Sequence, residues 1–340
     1  MNANEELDES IKEHYHSKVV HILIDSLSSL PNPEYDSNLL ATVVILRMSE
    51  QFCEIDEDVQ HHLAGASSLF ILRGSRCKWS VHATDLAGIS FWIYLRESLR
   101  LCFLNEEKCQ FDLDLIEKEA EFLPTSEEGW TNRITYILAL VCNFAFDKHT
   151  RVQPALEAAE LRQAIELWAS KVPSNFSPWH FKEGASDAFP AIYFLSTWHG
   201  KQLLFRNFSF DNQNTDADTH QEVAWQHYYT AKIMLAVEGL EVHQSSTILE
   251  LNQYTESQIL GPARKLCGIC LNVKEVGSQI NGSHLVSWCG QFFTGKQEQR
   301  QLIDWLKRTM LASKWPNRTC IERLQQIWSG TRLKWAEKPM

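Results

Sequence analysis

Basic clusters, apolar runs of membrane length and a secretory signal are all missing from this chain of 340 residues. The formal net charge is −11, and the densest basic stretch is the pair Lys307-Arg308. Because Lys and Arg supply most of the affinity of nucleic-acid-binding proteins by neutralising phosphates, direct contact with nucleic acid is not expected. The longest apolar run, Leu86–Leu95, is too short to span a bilayer, and residues 1–18 are charged where a signal peptide turns apolar. We therefore expect neither membrane insertion nor secretion.

The sequence also lacks the regular cysteine spacing of a disulfide-bonded domain. Its nine cysteines are odd in number and scattered, which predicts reduced thiols in an intracellular protein, most of them in the core. Cys267 and Cys270 form a C-x-x-C motif, but a zinc site needs a second such pair or two histidines at a suitable spacing. A redox pair needs a strand-to-helix context, which is absent here. The motif therefore predicts two thiols packed in the core on a helix.

Motifs of known enzyme classes are missing as well. The run Gly65–Leu69 departs from the G-x-S-x-G pattern at its second glycine, and there is no phosphate-binding Gly-rich loop, H-E-x-x-H motif or Asp-rich magnesium-binding helix. The histidines His14 and His16, and likewise His61 and His62, do not have the three- or four-residue spacing of helical metal ligands. They are predicted to be surface or hydrogen-bonded side chains. We predict a protein that is not an enzyme, with no catalytic, cofactor-binding or metal-binding residue and no cofactor.

The segment 211–219 is acidic, polar and free of large apolar side chains, which is typical of a surface loop. Asn214, Asp216 and Asp218 can be aligned with the first three ligand positions of a calcium-binding loop. That alignment puts Thr219 where the turn requires glycine and Trp225 where a bidentate glutamate belongs. The pattern therefore predicts a solvated loop and not a calcium site.

Apolar residues recur at helical spacing over most of the chain. One stripe, which ends before Pro173, contains Leu161, Ala164, Ile165, Trp168 and Val172. Asp36-Ser37-Asn38 offers N-capping oxygens to a helix over Leu39–Phe52. The segments Leu86–Leu104 and Asn132–Phe146 are apolar enough to form buried helices. Two further stripes near the C-terminus contain Leu302, Trp305 and Leu306, and then Ile321, Leu324, Ile327 and Trp328.

These patterns predict an all-α fold, a large multi-helix domain with either one core or two tightly packed helical lobes. Residues 1–33 are predicted to form a short helical leader and a proline-containing linker. The helical domain is predicted to cover residues 34–332, with a polar loop at about 209–221 and a short tail at 333–340.

Short motifs occur in a fixed order along residues 19–330. They are Leu39–Arg47 with Glu50-Gln51, His62–Ala66, Phe91–Glu97, Asn132-Arg133-Ile134, Leu167-Trp168 with Pro173, Phe176-Ser177-Pro178, Phe189–Leu195 with Trp198-His199, Leu266–Leu271, Cys289-Gly290, Trp315-Pro316, and Leu324 with Trp328. In this order they resemble the fungal-specific transcription factor domain. That domain is the large helical regulatory region that follows the zinc-cluster DNA-binding module in many fungal regulators. The resemblance implies that the helix with Cys267 and Cys270 binds no metal.

The chain departs from this family in its DNA-binding part. The family contacts DNA through an N-terminal cluster of six cysteines that binds two zinc ions, whereas here the first cysteine, Cys53, lies within a predicted helix. The resemblance therefore implies a transcription-regulator-like protein that acts through protein contacts, with a full-length zinc-cluster regulator or a second copy, and that senses a small-molecule effector. It implies a nuclear location, while a cytoplasmic one stays open because no import signal is visible.

Two alternatives stay open at this point. The chain is a fragment of a zinc-cluster regulator whose cysteine-rich exon lies upstream, or it is a helical small-molecule-binding protein or enzyme of an unrecognised type. A pocket between helices can serve many functions, so the fold class alone does not decide between them.

Overall fold

A computed structural model of the chain describes residues 3–29, 36–53, 61–118, 124–184, 188–194, 220–240 and 247–330. Most of these residues lie in helices, and the sheet content of the described ranges is one two-stranded hairpin. The all-α prediction is therefore confirmed. The predicted linker at Leu30–Pro33, the tail at 333–340 and nearly all of the polar loop at 209–221 lie outside the described residues.

The chain forms two compact units, and the boundary between them falls inside a helix. The first four helices are α1 (Ala3–Ser29), α2 (Ser37–Cys53), α3 (His61–Arg76) and α4 (Leu86–Asn105). The first unit contains the described residues up to Leu95 together with Asp114–Lys118. The second unit contains Arg96–Leu113 and the described residues from 124 onward.

The start of α2 is fixed by the side chain that precedes it. Asp36 Oδ1 accepts hydrogen bonds from the backbone N–H groups of Asn38 and Leu39, at 2.8 and 3.2 Å, and so caps the first turn. The apolar stripe of α2 packs against α3 and buries Leu40 completely. The predicted N-cap and the helix that follows it are confirmed.

An aromatic cluster forms the core of the first unit. The rings of Trp79 and Phe91 stack with their centroids 4.4 Å apart, and those of Phe70 and Tyr94 stack at 4.7 Å. Trp79 Nε1 donates to the backbone oxygen of Phe70 at 3.2 Å, so the indole N–H is satisfied inside the core. Phe91 and Tyr94 lie on α4, which confirms the predicted buried helix. Its first turn is the exception, because Leu86 is 45% exposed.

The second unit is built around one central helix. Its helices are α5 (Glu127–Phe146), α6 (Pro154–Lys171), α7 (His220–Gly239), α8 (Ile248–Tyr254), α9 (Gly261–Asn272), α10 (Val276–Cys289), α11 (Lys296–Ser313) and α12 (Arg318–Trp328). Helix α7 packs against α5, α6, α9 and α10. None of the helices in the described ranges is both long enough and apolar enough to cross a membrane.

Local sequence explains several of these helix ends. The Ser126 hydroxyl oxygen accepts from the N–H of Gly129 at 3.1 Å, so α5 starts more than one turn before the predicted Asn132. Helix α6 ends at Lys171, just before Pro173, as predicted. Helices α8 and α9 are joined by a π-helical segment, Thr255–Leu260, which leads into the Gly-Pro pair at the start of α9. Because proline has no N–H, the ordinary helical ladder cannot continue there.

The sequence did not predict the small hairpin of β1 (His180–Lys182) and β2 (Ala191–Tyr193). Its strands are antiparallel, with His180 opposite Tyr193, and β2 packs against α9. Each strand has three residues and β1 is exposed along its whole length, so neither shows the long alternation of a half-buried strand.

Candidate functional site

An open cleft of about 700 Å³ lies on the surface of the second unit, where α9, α11 and β2 meet. This volume lies in the range of small-molecule binding sites. The lining residues come from three segments that are far apart in sequence: Phe189, Ala191, Leu271, Asn272, Gln301, Asp304, Lys307, Arg308 and Leu311. The lining thus combines four apolar side chains with five amide or charged ones.

One wall of the cleft depends on a close approach between the hairpin and α9. A β-carbon built on Gly268 would lie 2.4 Å from the backbone oxygen of Pro190, so only glycine fits here. Asn272 Nδ2 donates to the oxygen of Gly268 at 2.6 Å and makes a longer contact of 3.4 Å with that of Pro190. Phe189 is held by an edge-on contact with Phe293, whose ring centroid is 5.1 Å away. These contacts place Phe189 and Ala191 beside the end of α9.

The opposite wall is the outer face of α11. Leu302, Trp305 and Leu306 point into the core and are buried, as the predicted stripe requires. The other face carries the cleft residues at three- to four-residue spacing, from Gln301 to Leu311. Leu311 is 69% exposed, so a large apolar side chain stands open at the rim.

The polar groups of this wall favour an acidic ligand. Lys307 and Arg308 bring two positive charges and Asp304 one negative charge to the cleft. Arg308 Nε donates to the backbone oxygen of Asp304 at 3.4 Å and not to its carboxylate. The side-chain oxygen of Gln301 is buried and accepts no hydrogen bond from the described residues. The cleft therefore has a net positive charge and an acceptor that no described group satisfies.

A second polar feature lies inside the same unit, and we call it the Arg96 cluster. Its members are Arg96 on α4, Asn132 and Thr135 on α5, His227 on α7 and Asn281 on α10. The guanidinium of Arg96 donates from Nη2 to Asn132 Oδ1 at 2.8 Å, while its Nε is buried with no hydrogen-bond partner in the described structure. Burial lowers the pKa of Arg96 to about 10, which leaves the group charged at neutral pH.

Both ring nitrogens of His227 have hydrogen-bonding partners on neighbouring helices. Its Nδ1 lies 3.0 Å from the hydroxyl of Thr135, and its Nε2 lies 3.1–3.2 Å from the side-chain amide of Asn281. Burial, and secondly the charge of Arg96, lower the pKa of His227 to about 3. The imidazole is therefore neutral at physiological pH and adds no second charge to the cluster.

Arg96 differs from five other buried or half-buried arginines, each of which is paired with a carboxylate in the described structure. These pairs are Arg47 with Glu50, Arg100 with Glu97, Arg151 with Glu238, Arg264 with Glu298, and Arg323 with Glu106. Arg96 faces an amide oxygen instead. Within the described ranges it is a half-buried cation with a buried Nε, and no carboxylate is paired with it.

The C-x-x-C motif lies where the sequence predicted it. Cys267 and Cys270 are completely buried on α9, and the sulfur of Cys267 is 3.6 Å from that of Cys289 on α10. Burial raises the pKa of both thiols, which keeps them protonated and unreactive. The predicted core position on a helix is confirmed, and most of the described cysteines share it.

The remaining candidates from the sequence do not form a site in the described structure. His14 and His16 are exposed on α1, as predicted, while the side chains of His61 and His62 and the loop residues 211–219 lie outside what is described. Trp225 lies on α7 and donates from Nε1 to a backbone oxygen at 2.6 Å. Across the described residues, no group of three or more His, Cys, Asp or Glu side chains is placed to hold a metal ion.

Comparisons of the chain with protein-family models, with curated proteins and with solved structures found no match. The resemblance to the fungal-specific transcription factor domain is therefore carried by the short motifs alone. Sequence reasoning named no residue of the cleft or of the Arg96 cluster as functional. The sequence feature that could have indicated the Arg96 cluster is the position of Arg96, a charged residue that directly follows the apolar run Leu86–Leu95.

Proposed function

We propose that this chain is a regulatory domain that binds a small acidic, amphipathic molecule in the cleft and acts through partner proteins. The observation that carries the proposal is the cleft itself, with apolar side chains on both walls and two cations, Lys307 and Arg308. The ordered motifs that resemble the fungal-specific transcription factor domain support a function in transcription. On this proposal the partner is a full-length zinc-cluster regulator or a second copy, and the site of action is the nucleus.

The lining supports this class of ligand. Leu271, Phe189 and Leu311 offer apolar surface, whose removal from water drives the binding of an apolar body. The ammonium of Lys307 and the guanidinium of Arg308 attract an acidic group at the rim. A ligand that carries both features satisfies both parts of the cleft at once.

A fluorescence titration with 8-anilinonaphthalene-1-sulfonate tests the ligand site, because this dye combines aromatic rings with one anionic group. We expect saturable enhancement with the folded chain. The variants Lys307→Gln and Leu311→Gln should each weaken binding about tenfold, which corresponds to a loss of about 1.4 kcal/mol. Leu249→Gln is the matched control, because Leu249 is 67% exposed on α8 and lies outside the cleft. Equal binding by all four proteins would overturn the ligand site.

Chromatin immunoprecipitation of the tagged chain tests the regulatory part of the proposal. Recruitment through a DNA-binding partner predicts discrete promoter peaks, and deletion of that partner should remove them. A chain that enters the nucleus, gives no peaks and co-purifies with no nuclear protein would contradict a function in transcription. The dye titration is independent of this result, so the two parts of the proposal can fail separately.

A further inference from the structure

The Arg96 cluster contains one positive charge that the described protein leaves unbalanced. A guanidinium has five N–H donors, and the described residues accept from Arg96 once, at Asn132 Oδ1. Removing such a charge from water is costly unless an opposite charge and further hydrogen bonds replace the lost solvent. Five other buried or half-buried arginines have such a carboxylate partner in the described structure, and Arg96 has none there.

The neighbours of Arg96 limit the negative charge that a ligand at this position can carry. His227 is neutral, and both of its ring nitrogens are already held by Thr135 and Asn281. The cluster therefore presents a single positive charge. One negative charge balances it, whereas a phosphate or sulfate dianion would leave a buried excess of negative charge.

We propose that the Arg96 cluster is a second binding site, in which the guanidinium of Arg96 binds the carboxylate of a small monoanionic acid. A carboxylate matches the planar N–H groups of arginine in a paired, charge-assisted geometry. Arg96 is half-buried and its Nε is covered, so a small acid would reach the guanidinium through its Nη groups. Its helices are α4, α5, α7 and α10, so the site is separate from the cleft between α9, α11 and β2.

Thermal unfolding of the full chain in sodium acetate, compared with sodium chloride at equal ionic strength, tests the proposal. Acetate should raise the Tm in a saturable manner, by about 5 °C at a concentration one hundred times its Kd. Sodium sulfate stabilises proteins generally, so its effect on the Tm should be the same in the unaltered chain and in Arg96→Gln. Arg96→Gln should abolish the response to acetate, because it removes the charge and keeps hydrogen-bonding groups.

Asn132→Asp is the decisive second variant, because it places a carboxylate against Arg96 within the chain itself. It should fold and should no longer respond to acetate, and it decides the question if Arg96→Gln does not fold. Arg264→Gln, which alters an arginine that is already paired with Glu298, is the control and should respond like the unaltered chain. A general salt effect would act equally on all variants. Equal shifts in acetate and chloride, or an Asn132→Asp chain that still responds, would overturn the proposal.

Discussion

Gly268 and Pro190 approach each other so closely that a single methyl group would not fit between them. A β-carbon on Gly268 would lie 2.4 Å from the oxygen of Pro190 and 2.9 Å from its ring. This contact holds the hairpin against α9 and so forms one wall of the cleft. It also gives a physical reason for the glycine between Cys267 and Cys270.

The variant Gly268→Ala should therefore lower the free energy of unfolding, by about 3 kcal/mol, because overpacking against backbone atoms cannot be relieved by a side-chain rotation. Chemical denaturation measures this loss. Gly65→Ala is the matched control, since it also lies in a helix but a β-carbon there meets nothing within 4 Å. It should stabilise the protein by about 0.5–1 kcal/mol through helix propensity. Equal effects at the two sites would contradict the close contact.

Stability should fall as the pH is lowered below about 6.5 because of two buried histidines. Burial lowers the pKa of His227 to about 3, and it lowers that of His284 well below its usual value. Between the folded and unfolded pKa values the unfolded chain binds more protons, so the free energy of unfolding decreases with decreasing pH. His227 alone should account for a loss of about 2 kcal/mol between pH 7 and pH 5.

The variant His227→Gln tests this assignment, because glutamine can keep hydrogen bonds to Thr135 and Asn281 but cannot be protonated in this range. Urea denaturation at several pH values should show a smaller dependence of stability on pH for the variant than for the unaltered chain. The same dependence in both proteins would show that His227 is not the group responsible.

The cysteines should differ sharply in their reactivity. Cys77 is exposed, whereas Cys142, Cys267 and Cys270 are completely buried and their pKa values are raised by burial. N-Ethylmaleimide should therefore label Cys77 in the native chain and label the other three only after unfolding, as read by peptide mass spectrometry. Rapid native labelling of Cys270 would contradict the packing of α9.

The end of α11 offers a stabilising substitution. Lys314 follows the last helical residue with φ 61° and ψ 11°, a left-handed conformation that favours glycine. Lys314→Gly should raise the free energy of unfolding by about 0.5–1 kcal/mol. Lys296→Gly at the other end of the same helix is the contrast and should not stabilise, because its backbone is helical. A destabilised Lys314→Gly chain would contradict this backbone conformation.

Helices could be predicted from sequence because their determinants are local. Asp36 caps α2, Pro173 follows the end of α6, and the buried stripe of α11 repeats at helical spacing. The hairpin was missed because three-residue strands are too short to show a period, and β1 buries nothing. The cleft was missed because it requires β2 and α9 to meet, which depends on tertiary packing.

The Arg96 cluster was beyond sequence reasoning for a related reason. Arg96 and its partner Asn132 lie on different helices, and the sequence places Glu97 directly next to Arg96. Helical spacing indicates that Glu97 pairs with Arg100, three residues further on, and not with the adjacent Arg96. Nothing local indicates that Arg96 faces an amide. Such partner choices are set by which faces of the helices meet.

Amide hydrogen exchange with and without 8-anilinonaphthalene-1-sulfonate tests the central claim most directly, because it locates the bound molecule. If the cleft is the ligand site, peptides from the end of α9, around Asn272, and from α11, between Gln301 and Leu311, should exchange more slowly with the dye. Peptides from α2 and α3 should be unchanged. Protection confined to other helices, or no protection at all at saturating dye, would contradict the claim that this cleft is the binding site of the domain.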